Sequence, residues 1–224
     1  MNKVIIVAPH ADDEIIGCGA TIAKHIKDGD EVVIIIATNA NIGAPELFTN
    51  EQIIQIRNEA KEAHNLLGVK KTIFLEFPAP SLNAFPEYKI SVELSKIFQD
   101  FCPTHLYLPH PGDIHQDHKA IYRASLVAAR PQGNNVISFI YCYETLSETE
   151  WTPMHEKPFV PNHFVDVTSV FNSKIDAMKC FASQLKAFPH SRSIETFEAL
   201  AKYRGATIGV ERAEAFIVER QIIK

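Results

Sequence analysis

The chain has 224 residues, of which 46% are hydrophobic and 22% are charged, and its formal net charge is −5. This composition is typical of a folded globular protein, and the length favours one domain over residues 1–224. A mildly acidic chain without a long Lys/Arg run is a poor match for proteins that bind nucleic acid or anionic membranes. We find neither the roughly 20 apolar residues of a membrane span nor a signal peptide, and we therefore expect a cytoplasmic protein.

The first half of the chain alternates short apolar runs with helical patterns. The apolar runs predict buried strands at residues 4–8, 31–38, 72–77 and 105–109. The helical patterns predict helices at residues 14–27, 51–67 and 92–101, the second of them ending at Gly68 as a C-cap. Continuous apolar strands separated by helices indicate a parallel sheet covered on both faces. We therefore expect an α/β fold with a Rossmann-like, doubly wound, mostly parallel sheet.

The second half of the chain is less regular. Its apolar runs predict strands at residues 136–143 and 163–167, and its periodicity predicts helices at residues 172–188, 194–204 and 211–218. Proline-rich stretches at 77–86 and 152–161 are typical of ordered loops. We find no repeat, no low-complexity tract and no domain boundary.

Two polar segments follow the first and fourth predicted strands. The first reads PHADDE at residues 9–14, and the second reads GDIHQDH at residues 112–118. In open α/β sheets, ligands bind at the carboxyl ends of the strands, where the strand order reverses, and strands one and four are commonly neighbours there. We therefore expect six side chains to converge: His10, Asp12, Asp13, His115, Asp117 and His118.

These residue types suit a catalytic metal ion. Two imidazoles and a carboxylate are a recurrent zinc set that leaves a position for water, although the same set also suits ferrous iron. A further carboxylate can act as a general base, and a further histidine can stabilise an oxyanion or protonate a leaving amine. The simpler alternative is that Asp12 only caps the following helix, with Glu14 favourable at the helix N-terminus.

The two segments resemble the signatures of the PIG-L (LmbE-like) de-N-acetylases, whose motifs read (A/P)-H-(P/A)-D-D-E and, later, H-x-D-H. The resemblance continues through RNE at 57–59 with LG at 67–68, SQ at 183–184, RG at 204–205 and AEAF at 213–216. It therefore covers nearly the whole chain, and the two metal motifs are its most specific part. It implies a zinc-dependent hydrolase that removes acetyl from an N-acetylglucosamine conjugate, and an assembly of three or six chains.

The resemblance also implies a role for each position. Zinc would be held by His10, Asp13 and His118. Asp12 would be the general base that activates water, and His115 would stabilise the oxyanion and protonate the amine. Asp117 would orient an imidazole, and Arg57 would lie near the sugar or its substituent.

The identity of the substrate stays open. The sequence departs from the family pattern at Ala11, at Arg212 and at residues 76–78, where many members carry an acidic residue that contacts the sugar. The loops at 39–50, 77–86 and 143–161 would select the substrate, and His190 could lie on a further loop above it. Two alternatives are a zinc amidase for a bulkier amide and a non-catalytic nucleotide- or metabolite-binding α/β module.

Overall fold

A computed structural model describes residues 1–132 and 136–223 of the chain. Its strands are β1 (Lys3–Ala8), β2 (Glu31–Asn39), β3 (Lys71–Pro78), β4 (His105–Pro109), β5 (Phe139–Tyr143), β6 (His163–Asp166) and β7 (Ala213–Gln221). Its helices are α1 (Asp13–Lys27), α2 (Ala40–Gly43), α3 (Asn50–Leu67), α4 (Glu87–Phe101), α5 (Gln116–Ala128), α6 (Phe171–Cys180) and α7 (Ile194–Ala206). Over these described ranges, no helix has the length and apolar character needed to cross a bilayer.

The seven strands form one sheet in the order β3-β2-β1-β4-β5-β7-β6. Strands β1 to β5 run parallel to one another, whereas β7 is antiparallel to both β5 and β6. The sheet thus confirms the predicted doubly wound α/β fold. Strand order reverses between β1 and β4, and this is where a ligand crevice forms in such sheets.

The alternating side chains of each strand divide the core into two layers. In β1, Val4 and Ile6 face a core shared with α1, α3 and α6, whereas Ile5 and Val7 face a core shared with α4 and α5. Because both faces of the central strands are covered, those strands are apolar throughout. This explains why continuous apolar runs marked them correctly in the sequence.

Helix α3 agrees with its predicted bounds because both of its ends carry local signals. Thr49 and Gln52 form a reciprocal capping box at its start. At its end, Gly68 adopts a left-handed φ of 88°, which glycine reaches without steric cost.

The predicted helix at residues 211–218 is wrong, because this segment is strand β7. Its run of Glu and Ala residues favours a helix locally, but Ala213 to Ile217 are buried between two other strands. Phe216 lies opposite Tyr143 of β5, and Ala215 lies opposite Phe164 of β6. Tertiary pairing therefore overrides local propensity here.

The predicted helix at residues 172–188 is too long, since α6 ends at Cys180. Beyond it, the side chain of Phe181 enters the core. Ser183 donates two hydrogen bonds to Glu59 of α3, from its backbone N (3.2 Å) and its Oγ (2.6 Å). These contacts turn the chain away from the helix axis, so that residues 181–193 form a loop instead.

His105 of β4 makes stability depend on pH. Its ring stacks on Phe139 with centroids 4.5 Å apart, and burial, reinforced by the charge of His25, lowers its pKa to about 4. The unfolded chain binds this proton near pH 6.5, so the contribution of neutral His105 to stability is lost as pH falls from about 6.5 towards 4. We expect the free energy of unfolding to fall by about 1 kcal/mol less in His105→Phe than in the parent chain when the pH is lowered from 7 to 5. This figure is discounted for the partial exposure of His105.

Urea unfolding of the parent chain and of His105→Phe at pH 7 and pH 5 measures this effect. His155→Phe, which changes an exposed histidine, is the control. An equal loss of stability on acidification in the parent and the His105 variant would show that His105 is not responsible.

Candidate metal centre and active site

The two polar motifs meet at one edge of the sheet. The first follows the end of β1 at Ala8, and the second follows the end of β4 at Pro109. Strands β1 and β4 are parallel neighbours, with Ile6 opposite Tyr107. Their carboxyl ends therefore lie side by side, and the six predicted side chains converge.

A compact cluster of three side chains lies at the centre of this edge. Asp13 Oδ2 is 3.2 Å from His10 Nδ1 and 3.3 Å from His118 Nε2, and the three ligand atoms lie within 4.8 Å of one another. Over residues 1–132 and 136–223, the buried atoms Asp13 Oδ1 and His118 Nε2 have no hydrogen-bond partner. Buried polar atoms without partners are costly, and a cation would satisfy both of these. The donor set therefore fits a divalent metal ion.

A second possible set joins His10 with His115 and Asp117. However, the Asp117 carboxylate is already engaged, because Oδ2 lies 3.2 Å from His10 Nε2 and Oδ1 accepts the backbone N–H of Leu82 at 3.0 Å. Asp117 is thus placed to orient His10 from the side away from Asp13. This arrangement favours the first set as the metal ligands, with Asp117 behind one imidazole.

Asp113 is a site residue to which the sequence analysis assigned no role. Its Oδ2 lies 2.8 Å from His118 Nδ1, and its Oδ1 accepts a hydrogen bond from Thr149 Oγ1 at 2.6 Å. A carboxylate behind a ligating histidine fixes the ring and its tautomer. The sequence feature that could have identified Asp113 is its position inside the second motif, five residues before His118.

The charges within the cluster shift its protonation. Burial opposes charge on His10, but hydrogen bonds with Asp117 and Asp13 outweigh it and raise the pKa of His10 to about 9. Burial likewise opposes charge on His118 and Asp13, yet their mutual attraction raises the pKa of His118 and lowers that of Asp13. The Asp13 carboxylate thus lies between two imidazoles whose protonation it favours, and a bound cation would compete with those protons.

Asp12 does not cap α1 through its side chain, so the simple capping interpretation is wrong. Its φ of 119° is unusual for a residue other than glycine, and its backbone N donates to Glu14 Oε2 at 3.1 Å. Its Oδ2 instead accepts a hydrogen bond from Arg192 Nη1 at 2.8 Å. Burial raises the pKa of Asp12 to about 7, against the opposing effect of the Arg192 charge.

His115 lies at the N-terminus of α5 with one ring nitrogen occupied. Its Nδ1 accepts the backbone N–H of Asp117 at 3.1 Å, so the proton of the neutral ring is on Nε2. Burial, together with the charges of His10 and His118, lowers the pKa of His115 to about 4. His115 is therefore a neutral hydrogen-bond donor at pH 7.

Arg192 is the second residue that the sequence analysis missed. It comes from the loop at residues 181–193, where His190 was the residue considered. Besides Asp12, its guanidinium donates to Gln184 Oε1 at 3.1 Å and to Ser147 Oγ at 2.8 Å. No local pattern marks this arginine, because its partners lie 8 to 180 positions away in the chain.

A cleft of about 440 Å³ opens above His10, Asp12 and His115. All three loops expected to select the substrate contribute to its walls, among others through Phe48, Pro80 and Glu148. This size and position suit a small-molecule ligand whose reacting group lies beside the metal cluster.

Arg57 also lines the cleft, as expected, but its guanidinium is engaged by neighbouring residues. Nη1 lies 2.7 Å from Glu76 Oε1, and Nη2 donates to the backbone O of Leu75 at 3.3 Å. The guanidinium also lies 5.1 Å from the centre of the Phe74 ring.

Comparison with known proteins agrees with the geometry. A solved structure of N,N'-diacetylchitobiose deacetylase from Pyrococcus horikoshii is 26% identical, with a TM-score of 0.76 over 97% of this chain and 83% of that one. A hydratase from Pseudomonas putida, the 4-carboxy-2-hydroxymuconate hydratase GalB, has a TM-score of 0.79 over 100% of this chain and 98% of its own, at 19% identity. The fold is thus shared by different activities, and the site residues have to decide the chemistry.

The sequence comparisons are more specific than the fold. The uncharacterized deacetylase YaiS of Escherichia coli K12 is 31% identical over 79% of this chain and 88% of its own length. The family described as PIG-L, GlcNAc-PI de-N-acetylase, matches residues 5–129, which include both motifs and the cluster they form. This chain belongs to the PIG-L family of de-N-acetylases and is a hydrolytic enzyme.

Proposed function

We propose that this enzyme uses zinc to remove the acetyl group from an N-acetylglucosamine-type conjugate, releasing acetate and a free amine. The observation that carries the proposal is the cluster of His10, Asp13 and His118, in which Asp13 Oδ1 and His118 Nε2 are buried without a hydrogen-bond partner among the described residues. Ferrous iron is the alternative metal for this ligand set.

His10, Asp13 and His118 would hold the metal, with Asp117 and Asp113 orienting the two imidazoles. When bound, Zn²⁺ supplies a Lewis acid and brings the pKa of water close to neutrality.

Asp12 is proposed as the general base. Arg192 binds its Oδ2, and Oδ1 is the oxygen that receives the proton of the attacking water. A pKa near 7 suits a group that first takes this proton and then returns it. Asp12 is therefore better placed than His115 to protonate the departing amine.

His115 is proposed to stabilise the negative charge that develops on the acetamide oxygen. Its neutral ring donates from Nε2, because Nδ1 is occupied by the backbone of Asp117. A donor held in place before reaction costs no reorganisation when the charge develops.

Several broader features belong to the same proposal. Arg57 would contact the sugar or its substituent from the cleft wall. We also propose that residues 1–224 form one domain, that the enzyme works in the cytoplasm, and that it assembles as a trimer or hexamer. Sedimentation of the purified protein would test the assembly.

Metal analysis of the purified protein, paired with acetate release from N-acetylglucosamine conjugates, tests the function. We expect about one zinc per chain and acetate release that a chelator abolishes and zinc restores. Release of a larger acid would instead support the bulkier amidase. Failure to take up any metal would contradict the proposal and favour a binding module.

Arg192 offers a separate test of how the base is held. We expect Arg192→Met to lower kcat/KM about ten- to hundredfold at pH 7, the loss of one charge-assisted hydrogen bond. Without the guanidinium, the pKa of Asp12 rises, so the acidic limb of the pH–rate profile moves to higher pH. Arg130→Met, at an exposed arginine, is the control. A lower rate with an unmoved limb would contradict this role.

A further inference from the structure

One wall of the cleft is less polar than its floor. The floor carries His10 and Asp12, whereas the wall formed by α3 and the segment before it is largely apolar, with Phe48, Ile53 and Ile56 among its lining residues. The polar side chains on this side are the neutral amides of Gln52 and Gln55 and the guanidinium of Arg57, which is paired with Glu76. An apolar wall with a few neutral amides suits an uncharged group.

The cationic side chains of the cleft are already neutralised. Of the lysines and arginines in the described part of the chain, Arg57 and Arg192 line it. Arg57 is paired with Glu76 at 2.7 Å, and Arg192 is paired with Asp12 at 2.8 Å. A phosphate or carboxylate on the substrate would compete with these carboxylates for the guanidinium groups, and Glu148 adds a further carboxyl group to the lining. The cleft therefore disfavours an anionic substituent.

The segment that precedes α3 carries further apolar side chains besides Phe48. In the segment that carries Phe48, Leu47 is 66% exposed and Ile42 is 51% exposed. Exposed large apolar side chains grouped beside a cleft are typical of ligand-binding grooves. Together with Phe48, they give the segment that leads into α3 several exposed apolar side chains.

We infer that the substrate is an uncharged N-acetylglucosaminide whose aglycone is apolar, an alkyl or aryl group lying against Phe48. This inference rests on the proposed deacetylase function and adds the chemical class of the aglycone. The acetamide lies at the metal cluster, and the aglycone follows α3 towards Leu47.

The test compares kcat/KM of the zinc-loaded full chain for three N-acetylglucosamine derivatives, namely the octyl glycoside, the methyl glycoside and the 1-phosphate. We expect the octyl glycoside to exceed the methyl glycoside at least tenfold, mainly through KM, about the gain from burying two methylene groups. We expect kcat/KM for the 1-phosphate to be at least tenfold lower than kcat/KM for the methyl glycoside. A 1-phosphate that equals or exceeds the octyl glycoside overturns the inference.

Two variants and one control locate the residues responsible for the substrate preference. Phe48→Ala should lower the octyl-to-methyl ratio about tenfold, whereas Leu66→Ala, an exposed apolar residue of α3 outside the cleft lining, should leave the ratio unchanged. Glu76→Gln removes the carboxylate that pairs with Arg57, and it should raise kcat/KM for the 1-phosphate about tenfold relative to kcat/KM for the methyl glycoside. An unchanged octyl-to-methyl ratio in Phe48→Ala would overturn the assigned wall.

Binding separates this inference from the proposed function. Calorimetry with the zinc-loaded protein measures Kd for octyl glucosaminide and glucosamine 1-phosphate without turnover. Tighter octyl binding with no acetate release from any derivative would retain the inferred cleft chemistry and contradict the deacetylase. Acetate release together with tighter binding of glucosamine 1-phosphate would support the deacetylase and contradict the inferred cleft chemistry.

Discussion

Asp12→Asn should reduce kcat about 10²- to 10⁴-fold while the protein keeps about one metal ion per chain. Asparagine has nearly the same size as aspartate and can still accept a hydrogen bond from Arg192, but it cannot take a proton from water. The metal cluster of His10, Asp13 and His118 does not use the Asp12 side chain. The loss should therefore appear in turnover and not in metal content.

The measurement is steady-state acetate release with zinc content determined on the same sample. Asp12→Ala should lose activity to a similar degree and retain zinc. Asp28→Asn, at the exposed end of α1, is the matched control and should behave like the parent chain. Near-normal turnover of Asp12→Asn would show that another group acts as the base.

His118→Ala should abolish stable metal binding, and activity should be lost with it. His118 is fully buried, its Nε2 faces Asp13, and its Nδ1 is held by Asp113. Removing it leaves His10 and Asp13 as the remaining members of the proposed ligand set. Substitution at a buried site also destabilises the fold, so thermal unfolding must be compared with the parent chain.

Asp113→Asn gives a milder test of the same centre. It keeps the imidazole but weakens the group that orients it, and we expect a 10- to 100-fold loss of zinc affinity. Competition with a chelator of known affinity measures this loss. His155→Ala, at an exposed histidine, is the control.

Full zinc retention by His118→Ala would mean that the ion is held by another set of ligands.

The core strands were predicted correctly where the local hydrophobic pattern matches the burial of the strand in the folded chain. Strands β1, β2 and β4 are buried on both faces, so each is an apolar run that stands out between helices. The prediction for residues 211–218 failed because β7 is formed by pairing with β5 and β6, neither of which is near it in sequence. Local propensity contains no information about such distant partners.

The same division holds for the site. The proposed metal ligands and their neighbours could be predicted from the sequence, because His10, Asp13, His115 and His118 occur in two short motifs at the ends of adjacent parallel strands. Only the tertiary structure placed Arg192 against Asp12, Asp113 behind His118, and a carboxylate beside Arg57. The physical reason is that the proposed metal ligands lie at the ends of two strands, and each strand end is a local feature of the sequence. The charges that orient and neutralise them come from loops, whose positions depend on the packing of the whole chain.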